Sequence, residues 1–223
     1  MKIQMISYLL RGSVMALLLA CSVPAQAQRS EAGIRYMPTF ASFRMKTSSG
    51  GTVKGTARYG YGVGAFVSFP IGTLFCIQEE AIYNTLSQQY KAQDVTQRVT
   101  LNYIDVPILL ALNTGKKRTV NASIVAGLQA GISVGNSLFS SGNNSSQPVV
   151  LIKMGDLGFA YGAGLDVALN EAHSFRLGVG YRGVTGLIDI SNHKQAVSGN
   201  SYNIIDQTTL QTYAAYVSLS LLF

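Results

Sequence analysis

Two histidines are the first candidates for chemistry in this chain of 223 residues, because imidazole is the side chain most often used as a general base. His173 lies in a short segment predicted to be a turn, and His193 lies near Asp189, Ser191 and Ser198. Catalysis needs such a base held beside a nucleophile by a rigid partner, and the sequence identifies none. No group of His, Cys and acidic residues has metal-ligand spacing either. We therefore predict no catalytic residue, no metal site and no cofactor.

A literal G-x-G-x-x-G runs from Gly178 to Gly183. A dinucleotide site would need a strand before this motif and a helix after it. Here the glycines fall within an alternating segment, on the row predicted to face inward. Small inward residues let a narrow barrel close around bulkier neighbours. The motif therefore indicates packing inside a barrel.

Charged residues recur on rows that the alternation predicts to face inward. They are Glu80, Asp105, Asp166, Arg176 and Arg182, with Arg35 as a further candidate. One interpretation is a polar track for ions or a proton. The other is a paired network that fills the interior, since an unpaired buried charge is costly. Side chains nearly fill the lumen of small barrels, which favours the paired network.

The elements that would position these charges are strands with alternating apolar and small or polar residues. In the last segment the apolar row contrasts with Thr212, Ala214, Ser218 and Ser220. Its members are Tyr213, Ala215, Val217, Leu219, Leu221 and Phe223. Alternation with a period of two is typical of a strand with one face toward an apolar phase.

Seven further segments alternate in the same way. They cover residues 33–45, 58–69, 74–86, 99–112, 119–134, 156–169 and 175–182. Links after the second, fourth and sixth segments have about four or five residues, and the other links run from about a dozen to twenty. An even number of strands joined by alternating short turns and long loops is typical of outer-membrane barrels. The long, polar link from Gly135 to Gly155, which includes Leu138 and Phe139, is the predicted contact surface.

Composition supports a membrane barrel. Charged residues make up 12% of the chain, about half the usual share in a soluble domain. After the N-terminal segment no stretch of 18 consecutive apolar residues occurs, which argues against helical spans. A closed barrel is then the remaining way to pair every backbone group in hydrocarbon. We predict one all-β, eight-stranded, antiparallel up-and-down transmembrane barrel. The net charge of +7 comes without a nucleic-acid motif, so no nucleic-acid binding is expected.

The N-terminal segment has the features of an export signal. Lys2 and Arg11 precede or flank an apolar stretch, Val14–Val23, which is followed by a small-residue cleavage site at Ala25–Ala27. We predict that residues 1–27 are removed and that residues 28–223 form the barrel domain. A competing lipoprotein-like site would acylate Cys21.

Two positions strain the strand pattern. In the third segment the apolar row would place Glu79 toward lipid, which is unfavourable. We predict a bulge at Glu79–Glu80 that turns both acids inward. Pro107 lies within the fourth segment and cannot donate to the ladder, so a local irregularity is expected there.

The fourth segment resembles a signature of the PorT-like outer-membrane barrels of Bacteroidetes, also called the porin family. Leu101–Leu110 matches L-x-Y-[LI]-[ED]-[IV]-P-x-L-L through Leu101, Tyr103, Asp105 and Pro107. Gln78–Tyr83 is similar to the family's Q-P-E-L-L-Y stretch, with Glu79 in place of proline.

This resemblance implies a barrel in the Gram-negative outer membrane, surrounded by its lipid. Insertion by the barrel assembly machinery would depend on the terminal strand through Tyr213, Val217, Leu219, Leu221 and Phe223. The expected role is structural, adhesive or envelope-contacting, through extracellular loops. The alternative is a component of protein secretion or a narrow porin-type transporter. A lipid-modifying enzyme that uses His193 is a third alternative.

Overall fold

The computed structural model describes residues 29–47, 52–54, 56–92, 95–141, 155–188 and 205–223. They form nine β-strands, which are β1 Glu31–Thr47, β2 Thr52–Lys54, β3 Thr56–Pro70, β4 Phe75–Ala92, β5 Val95–Asn113, β6 Val120–Ser141, β7 Gly155–Ala168, β8 Phe175–Gly186 and β9 Ile205–Leu222. In the described part of the chain, no helix has the length and apolar character needed to cross a membrane. The predicted signal segment, Cys21 included, lies outside the described residues.

The strands close into a barrel because β1 pairs with β9. Neighbouring strands pair antiparallel throughout, and the closing ladder runs from Glu31–Leu222 to the far end of β1. The short β2 pairs with Arg44–Lys46 of β1. It lies along the same edge of β1 that pairs with β3 between Glu31 and Phe40. Strands β2 and β3 therefore count as one position in the wall, and the predicted eight-stranded antiparallel barrel is confirmed.

Apolar side chains cover the outside of this barrel, as the alternation predicts. Val63, Leu128 and Val179 each expose about half of their surface. In β9 and at the residue that follows it, the residues predicted as the insertion signal are all exposed, namely Tyr213, Val217, Leu219, Leu221 and Phe223. Small, polar and some apolar residues alternate with them and face inward, so the rows in the membrane-facing part of the wall are correctly predicted from the sequence.

The strands extend farther than predicted toward the end of the barrel that carries the long links. Strands β4 and β5 have 18 and 19 residues and leave two residues, 93 and 94, between them. The predicted long link after the third segment is therefore wrong. Beyond the hydrocarbon both faces of a strand meet water, so the alternation that revealed the strand disappears there. Strand β6 likewise continues to Ser141, and residues 142–154 of the predicted contact loop lie outside the described residues.

The predicted bulge at Glu79–Glu80 is wrong. The ladder with β3 is regular through Val67–Glu79 and Phe66–Glu80, and the ladder with β5 keeps one register on either side of this site. Alternation therefore leaves Glu79 on the outer face, partly exposed, and turns Glu80 inward. A bulge that turned Glu79 inward would bring no further ion pair, because Glu80 already pairs with the inward-facing Arg35 and Arg182.

Pro107 perturbs one of its two ladders. Between the pairs Glu79–Ile108 and Ile82–Asp105 the β4–β5 ladder has no paired residues. On the β6 side Pro107 lies opposite Gln129 in continuous register. The irregularity expected from the missing N–H is thus confirmed on the β4 side alone.

Candidate functional site

The charged residues of the interior lie in three clusters stacked along the barrel. We call the end with the short turns the turn end and the opposite end the loop end. The turn-end cluster comprises Glu31, Lys116, Asn121, Asp166 and Arg176. The central cluster comprises Arg35, Gln78, Glu80 and Arg182. The outer cluster, nearer the loop end, comprises Asn84, Tyr103, Asp105, Gln129 and Asp156.

The central cluster crosses the lumen. Glu80 Oε1 accepts hydrogen bonds from Arg35 Nη1 at 2.7 Å and from Arg182 Nη2 at 2.8 Å. Strands β4 and β8, which carry Glu80 and Arg182, lie four positions apart in the wall and therefore face each other. Gln78 Nε2 also donates to Glu80 Oε1, at 2.5 Å. All three charged residues are less than 10% exposed, so little solvent reaches them inside the barrel.

Aromatic side chains pack against the central cluster. The Arg35 guanidinium lies over the rings of Phe66 and Tyr216, at 4.7 and 4.2 Å from their centroids. Glycines opposite Tyr216 make room for it, since a Cβ added to Gly164 would overlap its phenol oxygen. The period of two in β9 places Tyr216 inward with Ser218, a signal that sequence reasoning overlooked.

The turn-end cluster joins two turns to the wall. Arg176 is fully buried, forms an ion pair with Asp166, and donates to the carbonyl oxygens of Lys116 and Arg118 at 3.0 and 3.1 Å. Lys116 reaches back into the lumen and forms an ion pair with Glu31. Removal of its ammonium from water lowers the pKa of Lys116 to about 8. Sequence reasoning missed the pair of Glu31 and Lys116, because nothing in the sequence indicates that the side chain of a lysine in a turn points into the lumen.

The turn end opens into a cavity of about 420 Å³. Its basic lining comes from Arg29 and from the Lys116–Arg118 turn, and its apolar lining includes Leu74, Cys76 and Leu222. Sequence reasoning did not find this cavity, because five separate segments assemble it. His173 also lines it, and its Nε2 lies 3.3 Å from Thr119 Oγ1. His193, Asp189, Ser191 and Ser198 lie outside the described residues.

The five residues predicted as one network form separate groups. Glu80 meets Arg182, and Asp166 meets Arg176, whereas Asp105 is held by neutral amides. The additional candidate, Arg35, belongs with Glu80. Within the two clusters that contain arginine, each of the paired cations lies against an acid.

Two sequence motifs lie in strands of the barrel wall, one in β5 and one in β8. Leu101, Tyr103, Asp105 and Pro107 all face inward and are buried. The glycines of the G-x-G-x-x-G stretch lie in β8. Gly178 and Gly180 face inward, but Gly183 does not, because a Cβ added to it would lie 2.6 Å from the outward ring of Tyr161.

Residues 25–192 match the family model described as "Outer membrane protein beta-barrel domain". The fold is similar to that of the outer membrane protein OprG from Pseudomonas aeruginosa, with a TM-score of 0.55, 13% identity, and coverage of 89% of this chain and 97% of that one. The N-terminal barrel domain of P. aeruginosa OprF matches with a TM-score of 0.41, 12% identity, and coverage of 89% and 100%. Neisserial surface protein A matches with a TM-score of 0.39, 16% identity, and coverage of 84% and 96%. No curated protein sequence matches the chain.

Proposed function

The chain belongs to the outer membrane protein beta-barrel domain family, and from this premise we propose that it is a non-enzymatic barrel with a closed lumen. It acts at the cell surface of a Gram-negative bacterium through its loop end, in structural, adhesive or envelope contacts. The Arg35–Glu80–Arg182 cluster is the observation that carries this proposal. A lumen crossed by buried ion pairs does not offer ions a continuous aqueous path, which argues against a porin.

The length of the strands supports a role for the loop end. A membrane-spanning strand needs about 9–11 residues. Strand β6 has 22 residues and β5 has 19, so the wall rises well beyond the hydrocarbon on this side. A projecting wall carries the loops away from the lipid surface and toward a partner. The proposed contact surface is the segment of residues 142–154 together with the end of β6 that leads to it.

Planar bilayer recordings test the closed lumen. We expect the purified, refolded protein to give no steady single-channel conductance at neutral pH, because the central cluster fills the lumen. The Glu79→Gln variant, altered on the outer face, should be equally silent. Steady channels from the unaltered protein would refute the proposal.

A cell-aggregation assay tests the contact role. A bacterial host that does not aggregate would express either the full protein or a form in which residues 142–154 are replaced by a short turn. Aggregation by the full protein, lost in the shortened form at equal surface expression, is the expected result. Equal behaviour of the two forms would refute a contact role for this loop.

A component of protein secretion is the second proposal. It is supported by the PorT-like resemblance of Leu101–Leu110 and by the basic cavity at the turn end, which faces the periplasm in barrels with this layout. Deletion of the gene in its native host should then lower the amount of secreted protein in the culture supernatant. An unchanged set of secreted proteins would exclude this role.

A further inference from the structure

Two carboxylates converge above a glycine in the outer cluster. The register pairs Asp105 of β5 with Gly131 of β6, and Gly131 with Asp156 of β7. The point where a Cβ of Gly131 would lie is 2.6 Å from Asp105 Oδ1 and 3.5 Å from Asp156 Cβ. Because glycine fills none of this space, the two acidic side chains share one gap on the inner wall.

Two of the residues beside this gap carry buried oxygens without partners. Tyr103 is 1% exposed, its ring lies 3.4 Å from the point above Gly131, and its phenol oxygen has no hydrogen-bond partner among the described residues. Asp156 Oδ1 is also buried without such a partner. Unsatisfied buried polar atoms are rare and costly, so each calls for an explanation. A bound species that interacts with both oxygens would supply it.

The distribution of charge in the lumen points to the sign of that species. Among the described residues, each cation that faces the lumen already has an acid, in the pairs Arg35–Glu80, Lys116–Glu31, Arg176–Asp166 and Arg182–Glu80. Asp105 receives hydrogen bonds from the neutral amides of Asn84 and Gln129. No described ion pair involves Asp156. Two neighbouring carboxylates with no counter-charge attract a cation.

We propose that Asp105 and Asp156 bind one hard divalent cation, Ca²⁺ or Mg²⁺, in the loop end of the lumen. Carboxylate and neutral oxygens are the ligands that both ions prefer. The Tyr103 phenol would contribute a neutral oxygen or donate a hydrogen bond to a water on the ion. No three His, Cys, Asp or Glu side chains in the described residues are arranged to hold a metal, so the site relies on two acids and water. Few charged ligands imply weak binding, with a dissociation constant of about 10⁻⁴–10⁻³ M.

The proposed site assigns a function to the Leu101–Leu110 stretch, which the contact role does not involve. Tyr103 and Asp105 bring two of its inward side chains to one gap, while Pro107 lies just below them in β5. Cation binding would connect β5 and β7 across β6 where the wall leaves the membrane. The proposal does not depend on the contact role, because it concerns the inner wall alone.

Terbium luminescence tests the binding site directly. The protein would be refolded in detergent free of lipopolysaccharide, treated with chelator, and titrated with Tb³⁺ under excitation of tyrosine. We expect saturable emission, which millimolar Ca²⁺ abolishes by displacing Tb³⁺. The Asp156→Asn variant should bind Tb³⁺ at least about tenfold more weakly. Glu79→Gln, which removes one acid from the outer face, is the matched control and should behave like the unaltered protein. Equal titrations of the unaltered protein and Asp156→Asn would overturn the proposal.

Thermal unfolding supplies a second readout. Ca²⁺ at ten times its dissociation constant should shift the unaltered protein toward the folded state by about tenfold. Under chelator, Asp156→Asn should unfold at a higher temperature than the unaltered protein, because it relieves the repulsion with Asp105. A pair that instead shares a proton would depend on pH and ignore Ca²⁺, and that result would refute the cation site. If Asp156→Asn does not fold, absence of a Ca²⁺ shift in the unaltered protein has the same consequence.

Discussion

Glu80 is the acid on which two buried arginines converge, so its charge has a large structural effect. Glu80→Gln would leave Arg35 and Arg182 buried without their counter-charge. We expect a loss of about 3–5 kcal/mol in the free energy of unfolding, the range found when one partner of a buried pair is removed. Denaturant titration of the refolded protein in phospholipid vesicles measures this loss.

The neighbouring residue provides the control for that prediction. Glu79→Gln changes an acid on the outer face of the same strand and should alter the free energy of unfolding by no more than about 0.5 kcal/mol. Similar losses for the two variants would mean that the central ion pairs do not stabilise the barrel.

Lys116 should make stability depend on pH. Its pKa is about 8 in the folded protein, below the ordinary value of 10.5. Between these two values the unfolded chain binds a proton that the folded chain has released, so stability rises with pH in this window. The slope contributed by this one group is at most about 1.4 kcal/mol per pH unit, and it vanishes below pH 8 as both states become protonated.

The slope is isolated by comparison with a variant. Denaturant titrations of the unaltered protein and of Lys116→Gln from pH 7 to pH 10 should diverge above about pH 8. Lys117→Gln, at the exposed next position of the turn, should follow the unaltered protein. Parallel curves for all three proteins would contradict the burial of the Lys116 ammonium.

At the scale of the strand, the outer row of β6 predicts a gradient of cost with depth. Leu128 lies near the middle of the apolar row and Val134 near its outer end, and both are exposed on the outer face. Leu128→Lys should cost about 2–4 kcal/mol and Val134→Lys about 0–1 kcal/mol, since hydrocarbon gives way to water toward the interface. Unfolding titrations in vesicles measure both, and equal costs would contradict the assignment of this row to lipid.

The strands also show what the sequence could and could not predict. Alternation identified the outward rows because a residue in hydrocarbon must be apolar, as Leu128 and Val179 are. It failed where that constraint ends, as in the polar extension of β4 toward Ala92. It also gave a wrong bulge at Glu79, because the pattern could not weigh one partly exposed acid against the regular β3–β4 ladder and the unchanged register of the β4–β5 ladder.

The sequence predicted which side chains of the candidate site face inward, but it did not predict which of them contact each other. The period of two placed Glu80 and Arg182 inward, yet they are 102 positions apart in the chain. Their contact depends on barrel closure and strand stagger, which no local pattern encodes. Asp156 illustrates the same limit, because its relation to Asp105 arises through an intervening glycine on β6.

At the scale of the whole molecule, clusters of charged side chains follow one another through the lumen along the barrel axis. The cavity at the turn end leads to the Lys116–Glu31 and Arg176–Asp166 pairs, and a cavity of about 30 Å³ separates these from the central cluster. The smaller cavity has room for about one or two water molecules. The central cluster lies between this polar space and the outer cluster.

This arrangement predicts that a leak can be engineered. Replacing Arg35, Glu80 and Arg182 together by alanine removes every charge of the central cluster, so no buried charge is left without a partner. We expect the triple variant to retain a folded barrel, shown by heat-modifiable migration in gels, and to produce measurable conductance in planar bilayers where the unaltered protein is silent. Replacing Arg29, Lys117 and Arg118, which line the turn-end cavity outside the ion pairs, should leave the bilayer silent. A folded triple variant that stays silent would show that another part of the lumen, and not this cluster, blocks the passage of ions.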